Sequence, residues 1–247
     1  MKSILITGCN RGLGLGFVKA LVRDRNPPNQ IIATCRNLDN AKELQEIANE
    51  NKNVHIILLD VTQTETFPNF ASQVEEIVKD DGLNVLFNNA GCSPKSTRIN
   101  FVNTEQLVDT YLVNTVAPIL LTKALLPVLK KASEVNKDLP LGSSRSAIIN
   151  MSSILGSISA NDNGGLYPYR CSKAALNMAT KSLSIDLQKD GILVTALHPG
   201  WVKTNLGGPG APMEVESSVK GCMEVIRHLS EKHNGALYQW DGKKLEW

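Results

Sequence analysis

Short β-branched runs alternate along the whole chain with longer segments in which apolar residues recur three and four positions apart. The runs predict strands at 3–7, 30–35, 54–60, 84–88, 146–151 and 192–198, with a weaker seventh at 236–240. Between them the helical period predicts helices over 14–25, 38–51, 66–80, 104–131, 167–190 and 214–232. Strand and helix in regular alternation is the pattern of βαβ units, which assemble parallel strands into one sheet. The expected class is therefore α/β. The polar stretch 133–144, rich in turn formers, reads as a surface connection. No repeat, low-complexity tract or linker divides the chain, so one domain is expected across 1–247.

Length and charge narrow the picture further. A chain of 247 residues can bury a large core in a single domain. Its 26 basic and 24 acidic residues give a net charge of +2 with no long run of either sign. Nothing there calls for nucleic acid or a membrane surface. The opening apolar run is too short for a signal peptide, and no apolar run is expected to approach membrane-spanning length. Cys9, Cys35, Cys92, Cys171 and Cys222 are odd in number and widely scattered. They read as free thiols in a reducing compartment, which makes the cytoplasm the default location. Neither they nor the histidines show metal-ligand spacing, and no metal is expected.

The first strand ends in Thr7-Gly8-Cys9-Asn10-Arg11-Gly12-Leu13-Gly14 and a helix follows directly. Glycines allow a tight turn and close backbone approach, and a helix N-terminus offers unpaired N–H groups and a positive dipole end to a pyrophosphate. At the tip of the second strand stands Arg36 where a reader of a ribose 2′-hydroxyl would be acidic. With Arg11 it could instead hold a 2′-phosphate; otherwise each arginine only covers surface. Asp60-Val61-Thr62 follows the third strand, where Asp60 could accept from an adenine amino group or cap the next helix. Asn88-Asn89-Ala90-Gly91 ends the fourth strand with small polar residues that let a ligand lie close, and Asn88 could equally bond neighbouring backbone.

Tyr169 and Lys173 stand four apart at the start of a helical segment, which stacks a phenol and an ammonium on one face. A cation near the ring favours the phenolate and lowers its pKa, so the pair is a candidate general acid/base. Spacing alone fits equally well a lysine stem packed along a ring.

In this order, Thr7-Gly-x-x-x-Gly-x-Gly14, Asn88-Asn-Ala-Gly91, Ser153, Tyr169-x-x-x-Lys173 and Pro199-Gly200 resemble the short-chain dehydrogenase/reductase family over nearly the whole chain. The runs Ile-Leu-Ile-Thr-Gly-Cys-Asn-Arg-Gly-Leu-Gly-Leu-Gly and His-Pro-Gly-Trp-Val-Lys-Thr are similar in particular to sniffer-type carbonyl reductases. The resemblance implies a single-domain Rossmann-type, doubly wound, seven-stranded parallel sheet with helices on both faces. It implies a dinucleotide-binding part over about 1–120 and a catalytic and substrate part over about 121–247. The implied activity is NADPH-dependent reduction of an aldehyde or ketone, the partner a small-molecule carbonyl substrate.

The same resemblance assigns roles. Tyr169 would give its proton to the carbonyl oxygen, with Lys173 tuning its pKa and holding the nicotinamide ribose. Ser153 would hydrogen-bond the substrate oxygen, and Asn114 would hold a water that resupplies the proton. Pro199, Gly200, Val202 and Thr204 would wrap the nicotinamide, the last two bonding its carboxamide. The loop 207–212 reads as mobile, which leaves open whether it acts as a lid, and Cys92, Ile154, Tyr167 and Trp201 read as pocket residues that core packing explains as well. His198 reads as a satisfied strand histidine, and Cys9 and Cys171 as packing residues.

One departure concerns the segment between Ser153 and Tyr169, which is longer than the family pattern through Ala160-Asn161-Asp162-Asn163-Gly164-Gly165. It leaves open whether Ser152 or Ser153 faces the substrate. Two other functions fit parts of the pattern: a non-catalytic NADP(H)-binding sensor, and a sugar-nucleotide epimerase or dehydratase. The long apolar faces of 104–131 and 167–190 could also pair two subunits as a homodimer.

Overall fold

The computed structural model describes residues 1–94 and 98–247. Strands β1 (Ser3–Ile6), β2 (Gln30–Cys35), β3 (Val54–Leu58), β4 (Val85–Asn88), β5 (Ala147–Met151), β6 (Leu193–His198) and β7 (Leu237–Gln239) lie parallel. Their spatial order is β3-β2-β1-β4-β5-β6-β7. A short β8 (Lys244–Leu245) adds antiparallel to β7, so the sheet has eight strands where seven were expected. The helices are α1 (Gly12–Val22), α2 (Lys42–Glu50), α3 (Phe67–Val78), α4 (Thr104–Tyr111), α5 (Ala117–Val135), α6 (Tyr167–Asp186) and α7 (Val215–Arg227).

The central strands bury both faces, and the pleat sends successive side chains to opposite sides. Ile4 and Ile6 join Phe17, Val18, Met223 and Ile226 of α1 and α7 on one side. Between them Leu5 turns to the other side, towards Phe67, Phe70, Leu121 and Leu125 of α3 and α5. Phe17 meets Phe87 edge to face, with ring centroids 4.8 Å apart.

The chain winds outward from β1 to β3, then returns to place β4 on the other side of β1. That reversal opens a crevice beyond the carboxyl ends of β1 and β4, where doubly wound sheets bind ligands.

The expected helix 104–131 is one helical run with an irregular centre. A π-turn over Leu112–Val116 separates α4 from α5, and α5 continues into the stretch expected as a connection. The whole run Thr104–Val135 has a mean hydropathy of 1.8 over its most apolar window, enough by length and composition to cross a membrane. This corrects the expectation that no apolar run approaches that length. Half of that window is buried inside the protein, where Leu121, Leu125 and Leu129 fill the core.

Candidate active site

β1 passes directly into α1 through Gly8 at φ +73° and Gly12 at φ +58°. A Cβ on Gly14 would stand 2.2 Å from Gly8 O and 2.8 Å from Asn89 Nδ2, so only glycine fits where the loop, α1 and the tip of β4 meet. The Thr7 hydroxyl accepts from Asn89 N (3.0 Å) and Ala90 N (2.9 Å), and Asn89 Nδ2 donates to Thr7 O (2.7 Å). The two strand tips are thereby locked side by side. Arg11, at the N-cap of α1, makes no side-chain cap bond and the first turn carries no acidic residue. Its amides and its positive end are left to an anion.

Arg11 and Arg36 are exposed, and neither has an ion-pair partner among the described residues. Asp60 closes a local turn, its Oδ1 accepting from Thr62 N (3.0 Å) and Thr62 Oγ1 (2.8 Å). Asn88 donates to Asn150 Oδ1 (2.9 Å), and Asn150 donates to Thr180 Oγ1 (2.9 Å), which stitches β4, β5 and α6 together through the core.

The approach to α6 is a run of left-handed residues: Gly164 at φ +60°, Gly165 at +66° and Leu166 at +51°. For leucine this conformation costs about 1–2 kcal/mol. It swings the chain so that α6 begins at Tyr167 and Tyr169 comes beneath the end of β5. The residues 160–164 are exposed, so the extra length loops outward.

Tyr169 and Lys173 then stack as expected, with Lys173 Nζ 5.7 Å from the ring centroid. Lys173 is 3% exposed and donates to Met151 O at 2.7 Å. An ammonium has three donors, so others remain for a ligand. Burial pulls Lys173 down to about 8. Burial also pushes the Tyr169 phenol up to about 12, against the opposing hydrogen bond from Ser153. Cys92 adds to the rise and only Ser153 opposes it, so the expected lowering of Tyr169 by the lysine is not seen and the phenol keeps its proton throughout the neutral range.

The two serines have different hydroxyl partners. Ser152 lines the cleft, yet its hydroxyl is spent on Asn177 Oδ1 at 2.5 Å. The Ser153 hydroxyl accepts from Leu155 N at 3.1 Å, and its influence lowers the proton affinity of the Tyr169 phenol.

Asn114 lies in the π-turn and is fully buried. Its Oδ1 accepts from Cys92 N (2.9 Å), while Nδ2 donates to Cys92 O (2.9 Å) and Ser172 Oγ (3.0 Å). The side chain is occupied with fastening, so any water would have to be held by backbone. Ala117 N–H turns back to Leu112 O, and Pro118 has no N–H at all. The carbonyls of Val113 and Asn114 therefore lose their ordinary helical donors.

After β6, Gly200 turns at φ +88°, and a Cβ there would press on Met213 and Trp240 at 3.1 Å. His198 is buried with Nδ1 unpartnered, and burial lowers its pKa to about 4, so it is neutral. The loop closes on itself through Trp201 Nε1 to Gly207 O (2.8 Å), Gly207 N to Thr204 Oγ1 (3.1 Å) and a Lys203–Glu214 ion pair.

These parts surround one cleft of about 780 Å³. Gly8, Asn10, Arg11, Gly12, Leu13, Gly14, Arg36, Asp60, Val61, Asn89, Ala90, Gly91, Tyr169, Lys173, Pro199 and Thr204 line it. Cys9, Gly200 and Val202 do not, and neither do the catalytic candidates Asn114 and Ser153. Cys9 is fully buried, with Sγ on Ile6 O at 3.2 Å and its amide on Thr34 O at 2.7 Å. Val202 pairs with Met213 below the surface. Cys92 lines the cleft, whereas Ile154, Tyr167 and Trp201 are exposed outside its lining. Asn37, Val113, Lys203 and Leu206 also line it, and sequence reasoning missed them. Lys203 stood in the quoted Trp-Val-Lys-Thr run and Asn37 beside Arg36, which were the available signals.

A doubly wound sheet with a glycine loop at its switch point and a Tyr169–Lys173 pair facing the same cleft defines a dinucleotide-dependent oxidoreductase site. The short chain dehydrogenase profile matches residues 2–215, and the chain belongs to that family. Among solved structures it is similar to carbonyl reductase Sniffer of D. melanogaster, at 53% identity over 100% of both chains and a TM-score of 0.99. The NADPH-bound carbonyl reductase from chicken fatty liver is 43% identical over 100% of this chain and 99% of that one, with a TM-score of 0.94. The C-signal protein of Myxococcus xanthus is 38% identical over 67% of this chain and 93% of its own length.

Proposed function

We propose that this chain is an NADPH-dependent carbonyl reductase, acting on small-molecule aldehydes or ketones. The observation that carries the reading is Tyr169 stacked with Lys173 in a cleft that continues to the glycine loop and to two arginines with no ion-pair partner among the described residues. The cleft suits the dinucleotide: Gly8 and Gly14 leave room that a Cβ would fill, and Arg11 and Arg36 suit a 2′-phosphate. The named similarity to an NADPH-bound carbonyl reductase supports the same choice.

NADPH, when bound, supplies the hydride. The chain's own residues manage the oxygen. Ser153 and Tyr169 present two hydroxyls to it, and Tyr169 donates its proton as negative charge develops there. Lys173, still cationic below about pH 8, stabilises the resulting phenolate and returns a proton to it. The carbonyls freed in the π-turn are suited to hold a water that recharges Lys173, with Asn114 keeping that turn against Cys92. In this reading 1–120 serves mainly the dinucleotide, and 121–247 mainly the substrate and the proton.

The five free cysteines support a reducing, cytoplasmic setting. A homodimer through α4 and α6 is supported by their exposed Val108, Tyr111, Met178 and Ile185; mass measurement in solution tests it. The likeness to a protein named C-signal favours a second reading, a regulator that binds NADP(H) without turnover. Purified protein offered NADPH and a panel of aldehydes, ketones and quinones decides: consumption of NADPH supports the reductase, and binding without consumption supports the regulator.

A further inference from the structure

α6 carries a third polar side chain on the face of Tyr169 and Lys173. Asn177, one turn beyond Lys173, is 4% exposed. Both ends of its amide are engaged, and both reach the segment that follows β5. Its Oδ1 accepts from Ser152 Oγ at 2.5 Å, and its Nδ2 donates to Gly156 O at 3.2 Å. These two anchor points flank Ser153 in the chain. Lys173 holds the residue before them through Met151 O at 2.7 Å. The turn lies directly on the helix backbone, since a Cβ on Gly156 would stand 2.8 Å from Lys173 C. Between these anchors stands Ser153, whose hydroxyl lowers the proton affinity of the Tyr169 phenol, and the helix that carries Tyr169 grips the turn on both sides of it.

We infer that Asn177 is a positioning residue for the reaction: by clamping Ser152 and Gly156 it fixes where the Ser153 hydroxyl sits relative to the Tyr169 phenol. The physical reason is economy of reference. A hydroxyl on a turn moves with that turn, and misplacement by about 1 Å costs catalysis heavily. Tying the turn to α6 gives Ser153 and Tyr169 a common rigid support. The inference rests on the assignment of Ser153 and Tyr169 proposed above.

A double-mutant cycle tests it on the full-length protein with NADPH and a reducible carbonyl. Asn177→Ala is expected to lower kcat roughly tenfold, an order of magnitude set by misplacement of a reacting group, while the NADPH Kd and the substrate KM stay near wild type. In a Ser153→Ala background Asn177→Ala should lower kcat no further, because its effect passes through that hydroxyl. Multiplicative losses would overturn the inference, and so would a rise in KM and NADPH Kd with kcat intact. If Ser153→Ala itself leaves kcat unchanged, the reading of the site fails and takes this one with it. Should Asn177→Ala not fold, Ser152→Ala removes one arm only and goes through the same cycle: no further loss in the Ser153→Ala background supports the clamp, and multiplicative losses overturn it.

Discussion

Lys173 lies 5.7 Å from the centre of the Tyr169 ring, and burial drives their proton affinities in opposite directions, the phenol up and the ammonium down. Each group is thereby pushed towards its neutral form. For a reductase this is useful: the acid stays protonated, and its neighbour is poised to supply a replacement proton near neutral pH.

The pH dependence follows with a definite sign. Tyr169, pushed up to about 12, does not titrate in the working range, whereas Lys173 loses its proton as pH rises through about 8. Below that pH the ammonium is present and kcat for carbonyl reduction should be level; above it kcat should fall. A pH–kcat profile from pH 6 to about 10 measures this, and a rate that climbs through the same interval would be wrong for the assignment.

Arg36 stands at the tip of β2 with no acidic partner among the described residues. Replacing it by aspartate removes a charge-assisted contact of about 1.5–3 kcal/mol and adds repulsion towards a phosphate. The NADPH-to-NADH affinity ratio should fall by at least ~10-fold, read by fluorescence titration with each nucleotide. An unchanged ratio would clear Arg36 of the role.

Gly14→Ala places a methyl 2.2 Å from Gly8 O. Backbone would have to yield, and such overpacking costs about 1–3 kcal/mol. Both the melting temperature and NADPH affinity should drop, because the displaced loop is the one that receives the phosphates. Calorimetry and nucleotide titration on the same preparation check the two together.

Sequence periodicity located all seven parallel strands because they are short and, apart from the edge strand β3, almost wholly buried, which leaves a β-branched signature that does not depend on neighbours. Gly8, Gly14, Tyr169 and Lys173 were legible for a related reason: local geometry dictates their residue types. Cys9, which sits in the glycine loop and reads as a packing residue, turns its side chain inward against Ile6 and so leaves the cleft lining, a fact of tertiary packing. The π-turn at Leu112–Val116 was invisible, since apolar residues lie on every side of it and an inserted residue leaves no break in the period. β8 spans only two residues, too few for any alternation to register. Asn177 did leave a trace, at the next fourfold step after Tyr169 and Lys173, but its meaning depends on Ser152 and Gly156 arriving beside it.

The central claim is that Tyr169 donates the proton in an NADPH-driven carbonyl reduction. Tyr169→Phe keeps the ring and removes only the hydroxyl. The direct measurement is the steady-state rate of NADPH consumption by wild type and Tyr169→Phe, on a carbonyl the wild type reduces, with NADPH binding measured in parallel. The expected result is near-normal binding with a rate lower by at least ~10²-fold, the scale of losing a general acid. Turnover retained by the phenylalanine variant would contradict the account.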